Sequence, residues 1–392
     1  MQYTFADYVL DIESHTLTKN GVQQNIEPQV FDFLHYLVQN PGKLVTRDEM
    51  IEAIWAGRIV SESAVSARIS ALRRAVGDDG KKQAVIKTIA RRGIQFVAEV
   101  DSHGDADAAP QHTASIQVIR FAAADDGVKI AYATSGDGPT LLHCKHFPSH
   151  LELDWAEPTE RSLCETLGIS HSIIRFDQRG SGLSDHDISD FSADRSAEDL
   201  KSVADAAGLD RFAVLGSSSG ALIAVHFAVK YPERVSKLIL HSGYVDGRSV
   251  RNGDSVSDSQ DTILKMAEEG WDTPDSAFIS GYLSVYQPTA RQEDIQLFAK
   301  NLQNSCPVEN AVRGRRFHNN HSIAHLLEMV AVPTLVIHSR GDAVHPVSEG
   351  QKLARGIANA QFVVLDSRNH YPQPQEPCWQ IKMDAIHDFL AS

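Results

Sequence analysis

The sequence is poor in cysteine and has no long apolar run, and each absence excludes a class of protein. Four cysteines occur in 392 residues, and none forms a Cys-x-x-Cys pair. That argues against a disulfide framework and against a cysteine-ligated zinc site. No stretch approaches the ~20 consecutive apolar residues of a membrane span, and the first residues, MQYTF, do not resemble a secretory signal. We therefore expect a cytoplasmic protein without a membrane partner, and no pattern indicates a metal ion or a cofactor.

Positive charge is also scarce, but it is concentrated in one place. The formal net charge is −14, which alone would argue against a nucleic-acid partner. Residues 1–100, however, contain 12 basic and 12 acidic side chains, and residues 58–92 contain nine basic and three acidic ones. A polyanion would be attracted to this one basic strip and repelled by the rest of the chain, which restricts how it docks.

The amino-terminal part combines short strands with three helices and a basic hairpin. Helical spacing of apolar residues predicts helices that begin after Pro28, at Thr46 and near residues 61–63. Thr46 and Glu49 have the spacing of a capping box. A later alternating segment predicts a hairpin with arginines at its tip. Together these elements predict a small α+β winged-helix domain over residues 1–100, whose third helix enters the major groove of double-stranded DNA.

Several strings in this domain resemble a known family. They are residues 31–34 (FDFL), 40–49 (NPGKLVTRDE), 69–78 (ISALRRAVGD) and 86–88 (IKT). On these strings the domain resembles the OmpR/PhoB-type DNA-binding domains. The resemblance implies DNA contacts from Ser63, Ser66, Arg68, Ser70, Arg73, Arg74, Arg91 and Arg92. The family usually carries basic residues where Ser70 and Ala71 stand, which implies a DNA site that depends more on shape. The alternative is that these arginines form only a solvated surface.

The remainder of the chain has a different organisation. Residues 101–115 are small and polar without periodicity, which predicts a linker. Strands and helices alternate over residues 116–392, which predicts an α/β domain with a mostly parallel sheet covered on both faces. Residues ~246–327 interrupt this alternation with helical, strand-poor sequence. We interpret that insertion as a cap over an active site.

A nucleophile and its partners occur in this domain in a recognisable order. Residues 216–220 (GSSSG) fit the G-x-S-x-G pattern, with an apolar strand before them and a helix after them. That context predicts a nucleophile elbow with Ser218 at its tip. Asp342 and His370 each lie just past the carboxyl end of a predicted strand, where α/β sheets gather their chemistry. We expect His370 to take the Ser218 proton and Asp342 to orient the imidazole.

Other strings resemble a second family. They are residues 149–155 (SHLELDW), 175–185 (RFDQRGSGLSD), 231–235 (YPERV) and 270–276 (GWDTPDS). On these strings residues ~117–391 resemble the α/β-hydrolase domains that are attached to bacterial transcription factors and nucleotide cyclases.

Two other acids remain possible partners of His370, namely Asp246 and Asp366. The turn that holds Asp342 favours that residue.

The surroundings of Ser218 suggest how an oxyanion and a ligand would be held. We expect the backbone N–H groups of Ser219 and Phe147 to form the oxyanion hole, because the following Pro148 has no N–H. His146 stands where many relatives carry glycine, so its side chain would crowd the hole or add a polar contact. His146, His150 and Trp155 are the candidate pocket residues, with scaffold hydrogen bonding as the alternative.

Three histidines, His318, His321 and His325, are spaced like metal ligands, but no intact ligand set accompanies them, so we expect no metal site.

The two domains together predict a one-component, homodimeric transcription regulator that senses a small apolar molecule. Three hypotheses remain open. The signal is bound and hydrolysed as an ester, thioester or lactone; or it is bound without turnover; or the chain is a metabolic hydrolase that its winged helix merely tethers.

Overall fold

The computed structural model describes residues 2–12, 16–24, 26–47, 49–51, 62–78, 81–89, 92–98, 100–103, 117–251, 253, 265, 268–273 and 276–392. The chain forms two compact units, Met1–His112 and Thr113–Ser392. Among the helices of the described residues, none combines the length and the apolar character that crossing a membrane requires.

The first unit is built from short strands and two described helices. Its elements are β1 (Gln2–Phe5), β2 (Tyr8–Asp11), β3 (Thr16–Lys19), β4 (Val22–Gln24), α1 (Pro28–Val38), β5 (Leu44–Val45), α2 (Glu62–Ala75), β6 (Ile86–Ile89), β7 (Gly93–Phe96) and β8 (Val100–His103). One antiparallel sheet has the order β4-β3-β2-β1-β8, and a second has the order β5-β7-β6.

Local sequence explains these elements. Apolar side chains at helical spacing, among them Phe31, Leu34 and Leu37, are buried by α1 in the core of the unit. The capping box is confirmed, because the Thr46 N–H donates to Glu49 Oε2 at 2.7 Å and the Glu49 N–H donates to Thr46 Oγ1 at 3.3 Å. The rest of the second predicted helix, beyond Ile51, lies outside the described residues.

The carboxyl end of this unit extends further than the sequence predicted. Strand β8 pairs with β1 in antiparallel register, with Val100 opposite Phe5 and His103 opposite Gln2. The predicted linker, residues 101–115, therefore begins later, because its first three residues complete a sheet. The remainder of that linker, residues 104–115, lies outside the described part of the chain.

The second unit alternates strands and helices. Its strands are β9 (Val118–Ala123), β10 (Lys129–Ser135), β11 (Thr140–Cys144), β12 (Ser172–Phe176), β13 (Phe212–Ser217), β14 (Val235–His241), β15 (Thr334–Ser339) and β16 (Gln361–Leu365). Its helices are α3 (Leu151–Ala156), α4 (Pro158–Gly168), α5 (Ala193–Ala206), α6 (Gly220–Lys230), α7 (Arg248–Arg251), α8 (Ala277–Tyr286), α9 (Gln292–Ser305), α10 (Val308–Asn320), α11 (Val347–Gly356) and α12 (Cys378–Ala391).

One eight-stranded sheet organises this unit, in the order β16-β15-β14-β13-β11-β12-β10-β9. The strands β9 and β10 are antiparallel to their neighbours, and the other pairs are parallel. Every residue of β13 and of β15 is buried, as expected for strands covered on both faces. In the sheet, β12 lies on one side of β11 and β13 lies on its other side, so the chain changes direction across the sheet after β12. This reversal of direction places a crevice at the carboxyl ends of β11 and β13.

Helices α7 to α10 form an insertion between β14 and β15. An isolated bridge between Asp246 and Ser322 joins the two ends of the insertion, close to the predicted bounds of the cap. The inserted helices have an apolar core of their own, in which Trp271 donates from Nε1 to the Cys306 carbonyl at 2.9 Å. The insertion is therefore a packed layer and can form a wall of a cavity.

Candidate active site

Ser218 occupies a strained turn between β13 and α6. Its φ of 54° lies in the left-handed region, which costs a residue with a side chain about 1–3 kcal/mol. The turn is held by its surroundings, because the Ser218 N–H donates to the His241 carbonyl at 2.9 Å. A Cβ at Gly220 would collide with the carbonyl oxygen of Cys144, so the following helix can approach β11 only with glycine there. This geometry is the one expected of a nucleophile elbow.

The structure brings Asp342 and His370 together. His370 Nδ1 lies 2.6 Å from Asp342 Oδ2, and both side chains are buried. Asp342 Oδ1 accepts hydrogen bonds from the N–H groups of Val344 and His345, at 2.8 and 3.0 Å. Burial pushes the pKa of Asp342 upward, but the charge and hydrogen bond of His370 outweigh it and lower the pKa below its usual value. Asp342 is thus an ionised partner for the imidazole.

The two other candidate acids are not partners of His370. The Asp246 carboxylate accepts hydrogen bonds from Ser322 Oγ at 2.7 Å and from Lys352 Nζ at 2.8 Å. Asp366 is exposed to solvent. The choice among the three acids, which the sequence left open, is therefore decided by the fold.

Tyr371 is a residue of this site that the sequence did not indicate. Its hydroxyl lies 3.1 Å from His146 Nδ1. Burial raises the pKa of Tyr371 well above its usual value, although the neighbouring Ser218 hydroxyl acts in the opposite direction. His370 Nε2 has no hydrogen-bond partner in the described part of the chain. The phenol therefore lies near the nucleophile, and the Ser218 hydroxyl is not hydrogen-bonded to His370 in this structure.

One expected donor of the oxyanion hole already has a hydrogen-bond partner. The Phe147 N–H donates to the side-chain hydroxyl of Ser219 at 3.1 Å. His146 is half-buried beside it, and desolvation lowers the pKa of its imidazole well below the usual value, which keeps the ring neutral. An oxyanion would have to replace the Ser219 hydroxyl at the Phe147 N–H.

A cavity opens on Ser218. Its walls are largely aromatic, with the side chains of Phe147, Tyr244, Trp271, Tyr282, Tyr286 and Phe298. Two arginines from the insertion, Arg248 and Arg315, provide positive charge. Arg315 Nη1 donates to Tyr286 Oη at 2.8 Å and to Tyr282 Oη at 3.2 Å. The cavity can accept an apolar body that carries one polar group.

Of the three predicted pocket residues, the structure places only His146 at a cavity wall. His150 caps α3, because its Nδ1 accepts from the N–H groups of Glu152 and Leu153. The Trp155 ring lies between two guanidinium groups, 4.7 Å from that of Arg161 and 5.0 Å from that of Arg175. The pocket prediction is corrected for both residues, since each already has a partner in the scaffold.

The histidines at metal-like spacing do not converge. His318 lines the cavity, and burial lowers its pKa to about 3. His321 Nε2 lies 3.1 Å from Nε2 of His226, and His325 is exposed. Within the described ranges no three His, Cys, Asp or Glu side chains are grouped so that they could hold a metal ion.

Helix α2 of the first unit presents one polar face to solvent. Ser66, Ser70 and Arg74 are exposed and follow one another at intervals of four residues, so they line a single stripe. Arg68 is half-buried and pairs with Glu27 at 2.5 Å. Arg92 is exposed beside β7. The Ser63 side chain and Arg91, which belong to the same prediction, lie outside the described residues.

Arg73 departs from the predicted DNA contacts. Its side chain is 8% exposed, lies 3.3 Å from the buried Asp78 carboxylate and donates to Thr88 Oγ1 at 2.9 Å. It joins α2 to the strand β6, and its guanidinium is not presented at the surface. The prediction failed because the arginine pattern does not reveal which side of the helix meets a buried acid.

The sequence model of a family described as "alpha/beta hydrolase fold" matches residues 147–377. The chain belongs to the α/β-hydrolase fold family. Its hydrolase domain is similar to the esterase EaEST from Exiguobacterium antarcticum, with a TM-score of 0.59 and 20% identity over 70% of this chain and all of that one. A 2-hydroxy-6-oxononadienedioate/2-hydroxy-6-oxononatrienedioate hydrolase of Paraburkholderia phymatum is 28% identical over 63% of this chain and 86% of that protein. The fold expected from the sequence is confirmed.

A second family model, "Transcriptional regulatory protein, C terminal", matches residues 21–96. The transcriptional activator CadC of Escherichia coli is 33% identical over 85 residues, which are 21% of this chain and 17% of CadC. The hydrolase domain is therefore preceded by a DNA-binding domain of the OmpR/PhoB type, as the residues of its helices indicated.

Proposed function

We propose that this chain is a DNA-binding transcription regulator whose hydrolase domain binds a small ester, thioester or lactone as its signal. The observation that carries the proposal is the presence, in one chain, of an OmpR/PhoB-type domain and of an enclosed cavity that opens on Ser218. A metabolic enzyme does not need a DNA-binding domain, and a simple DNA-binding protein does not need a ligand cavity. Ligand binding would shift the population of a DNA-binding state, and we expect that state to be a homodimer.

The composition of the cavity supports the choice of ligand. Its six aromatic side chains favour an apolar body, and Arg248 and Arg315 suit a carbonyl or an acidic group at one end. An ester, thioester or lactone with a hydrophobic chain meets both requirements. The carbonyl carbon would lie against Ser218, at the wall of the cavity.

The residues around Ser218 also support slow hydrolysis of the bound signal. The Ser218 hydroxyl would turn toward His370 Nε2, give up its proton there and attack the carbonyl carbon. Asp342 would stabilise the imidazolium, and the N–H groups of Phe147 and Ser219 would hold the oxyanion once the Ser219 hydroxyl moved aside. The imidazolium would then protonate the leaving group, and water would hydrolyse the acyl-Ser218 ester.

A serine hydrolase that its winged helix tethers is the second candidate. It is favoured by the match to 86% of a relative that is itself named as a hydrolase. Under this alternative, catalysis and not DNA occupancy is the purpose of the chain.

One set of measurements tests both candidates. Genomic DNA fragments are selected on the full chain, and the affinity for a selected fragment is measured for the wild type and for Ser218→Ala. A burst of p-nitrophenol from p-nitrophenyl butyrate is measured in parallel. The regulator predicts fragment-specific DNA binding that a hydrophobic ester changes in both proteins. Absence of specific DNA binding by the full chain contradicts it and leaves the tethered hydrolase.

A further inference from the structure

A second cavity shares His146 and Phe298 with the first, since both residues line both cavities. It extends below the carboxyl ends of β11, β13 and β14 and reaches the helices α4 and α12. Several charged and polar side chains line it, and Ser217 and Tyr371 lie among them beside the nucleophile. A buried cavity with such walls must satisfy its charged groups in some way, because an unpaired buried charge is costly.

The acidic groups of this cavity all have partners. Glu160 lies 3.6 Å from Lys145 Nζ and 3.8 Å from Arg175 Nη1. Asp154 lies 3.0 Å from the same lysine ammonium. The Glu157 carboxylate accepts the N–H groups at the start of α4, at 3.1 and 2.7 Å. No carboxylate of this group is left without a donor.

Two basic side chains at the wall of this cavity, Lys382 and His241, have no hydrogen-bond partner for their side-chain nitrogen among the described residues. Lys382, on α12, is 2% exposed, and its Nζ lies 3.8 Å from the centroid of the Trp379 ring. No described residue accepts a hydrogen bond from that ammonium. Burial lowers the pKa of Lys382 to about 7. His241 Nε2, also at the cavity wall, is buried and has no partner among the described residues. The negative charges of Glu160, Glu376 and Glu157 raise the pKa of Lys382 from farther away. Among the described residues none of these carboxylates forms an ion pair or a hydrogen bond with Lys382, so the lysine lacks a direct anionic partner.

A surface groove adjoins this cavity. It includes Pro158, Gln373 and Pro374 and shares Glu157 and Thr159 with the cavity. These two shared residues are the part of the cavity wall that borders the groove.

We propose that the second cavity is a binding site for a small carboxylic acid, whose carboxylate pairs with Lys382 and which arrives through the groove at Glu157 and Thr159. His241 provides a further contact, and the neutral remainder of the acid lies against Leu163 and Phe298. The acid is held next to Ser217 and Tyr371, so it is placed to influence the nucleophile. This proposal goes beyond the proposed function, since it requires neither hydrolysis nor DNA binding.

The test follows the lysine directly. The full chain is labelled with ¹³Cε-lysine, and the Lys382 resonance is assigned by its loss in Lys382→Met, a variant that keeps an unbranched side chain against Trp379. Acetate, butyrate and succinate are the probes, and butyramide is the uncharged control. We expect an acid to raise the pH at which this resonance titrates, and butyramide to leave it unchanged.

Affinity provides the second measurement. Lys382→Met should weaken binding of the acid about tenfold or more, whereas Lys201→Met, which alters an exposed lysine of α5, should not. If Lys382→Met does not fold, Thr159→Trp narrows the groove and should slow binding while the free Lys382 titrates as before. Failure of all three acids to shift the resonance, or equal binding of butyramide, would overturn the proposal in favour of a cavity filled by water.

Discussion

The backbone N–H of Phe147 donates a hydrogen bond to the side-chain hydroxyl of Ser219, 3.1 Å away. The backbone N–H groups of these two residues are the expected donors of the oxyanion hole. Here the side chain of Ser219 accepts the hydrogen bond that the Phe147 N–H would give to an oxyanion. Under the proposed function, the Ser219 hydroxyl must leave the Phe147 N–H before an oxyanion can bind there. A sensor that retains its ligand would be served by such an arrangement.

Ser219→Ala should raise the rate of acylation. The substitution removes the competing hydroxyl and leaves both backbone N–H groups in place, so the gain is that of one released hydrogen bond, about threefold to tenfold. The burst of p-nitrophenol from p-nitrophenyl butyrate measures it. Ser202→Ala, whose hydroxyl donates to the Glu198 carbonyl at 3.0 Å on a distant helix, is the matched control. A slower burst in Ser219→Ala would show that its hydroxyl assists acylation.

Asp342→Asn should abolish most of any esterase activity, because the asparagine no longer stabilises the imidazolium of His370. A fall of roughly 10³-fold to 10⁴-fold in the acylation rate is expected. Asp366→Asn and Asp246→Asn, the two acids that the fold sets apart from His370, should change that rate little. Equal losses in all three variants would contradict the assignment of Asp342.

Arg74 and Arg73 are adjacent in the sequence but should behave differently. Arg74→Ala should weaken DNA binding and reduce its salt dependence by about one phosphate contact, with little effect on stability. Arg73→Ala should leave the buried Asp78 carboxylate without its cation and lower the free energy of unfolding by about 3 kcal/mol. Urea unfolding and fluorescence anisotropy on a selected DNA fragment separate the two effects. A fully stable Arg73→Ala would contradict the structural role.

The pair His226 and His321 should make stability fall in acid. Burial and then the charge of His321 lower the pKa of His226 to about 4, and burial also lowers that of His321. The unfolded chain, with histidine pKa values near 6.5, therefore binds more protons than the folded one, and the free energy of unfolding declines as the pH falls from about 6.5 to 4.

His226→Gln should make that decline shallower, by about one proton in the dependence of stability on pH. Tryptophan fluorescence follows the second unit during urea unfolding at a series of pH values. Other buried histidines act in the same direction, so the difference between variant and wild type is the informative quantity. An unchanged slope in His226→Gln would contradict the prediction.

Sequence alone indicated features that short-range chemistry specifies. The capping box of Thr46 and Glu49 depends on a spacing of three residues, and the turn at Ser218 depends on flanking glycines. The order of strands and helices followed from their periodicity. Each of these signals is local, because the residues that create the structure are neighbours along the chain.

Tertiary structure alone decided which polar groups meet. It set Tyr371 against His146 and paired Asp342 with His370. It buried Arg73 against Asp78. It also gave His150 a capping role that its sequence neighbourhood had not suggested. It also placed Lys382 at a cavity wall without a direct ion-pair partner among the described residues. The partners in most of these contacts lie far apart in sequence. Even where they are near, the packing of separate elements decides which side chain faces which, and no periodic pattern records that outcome.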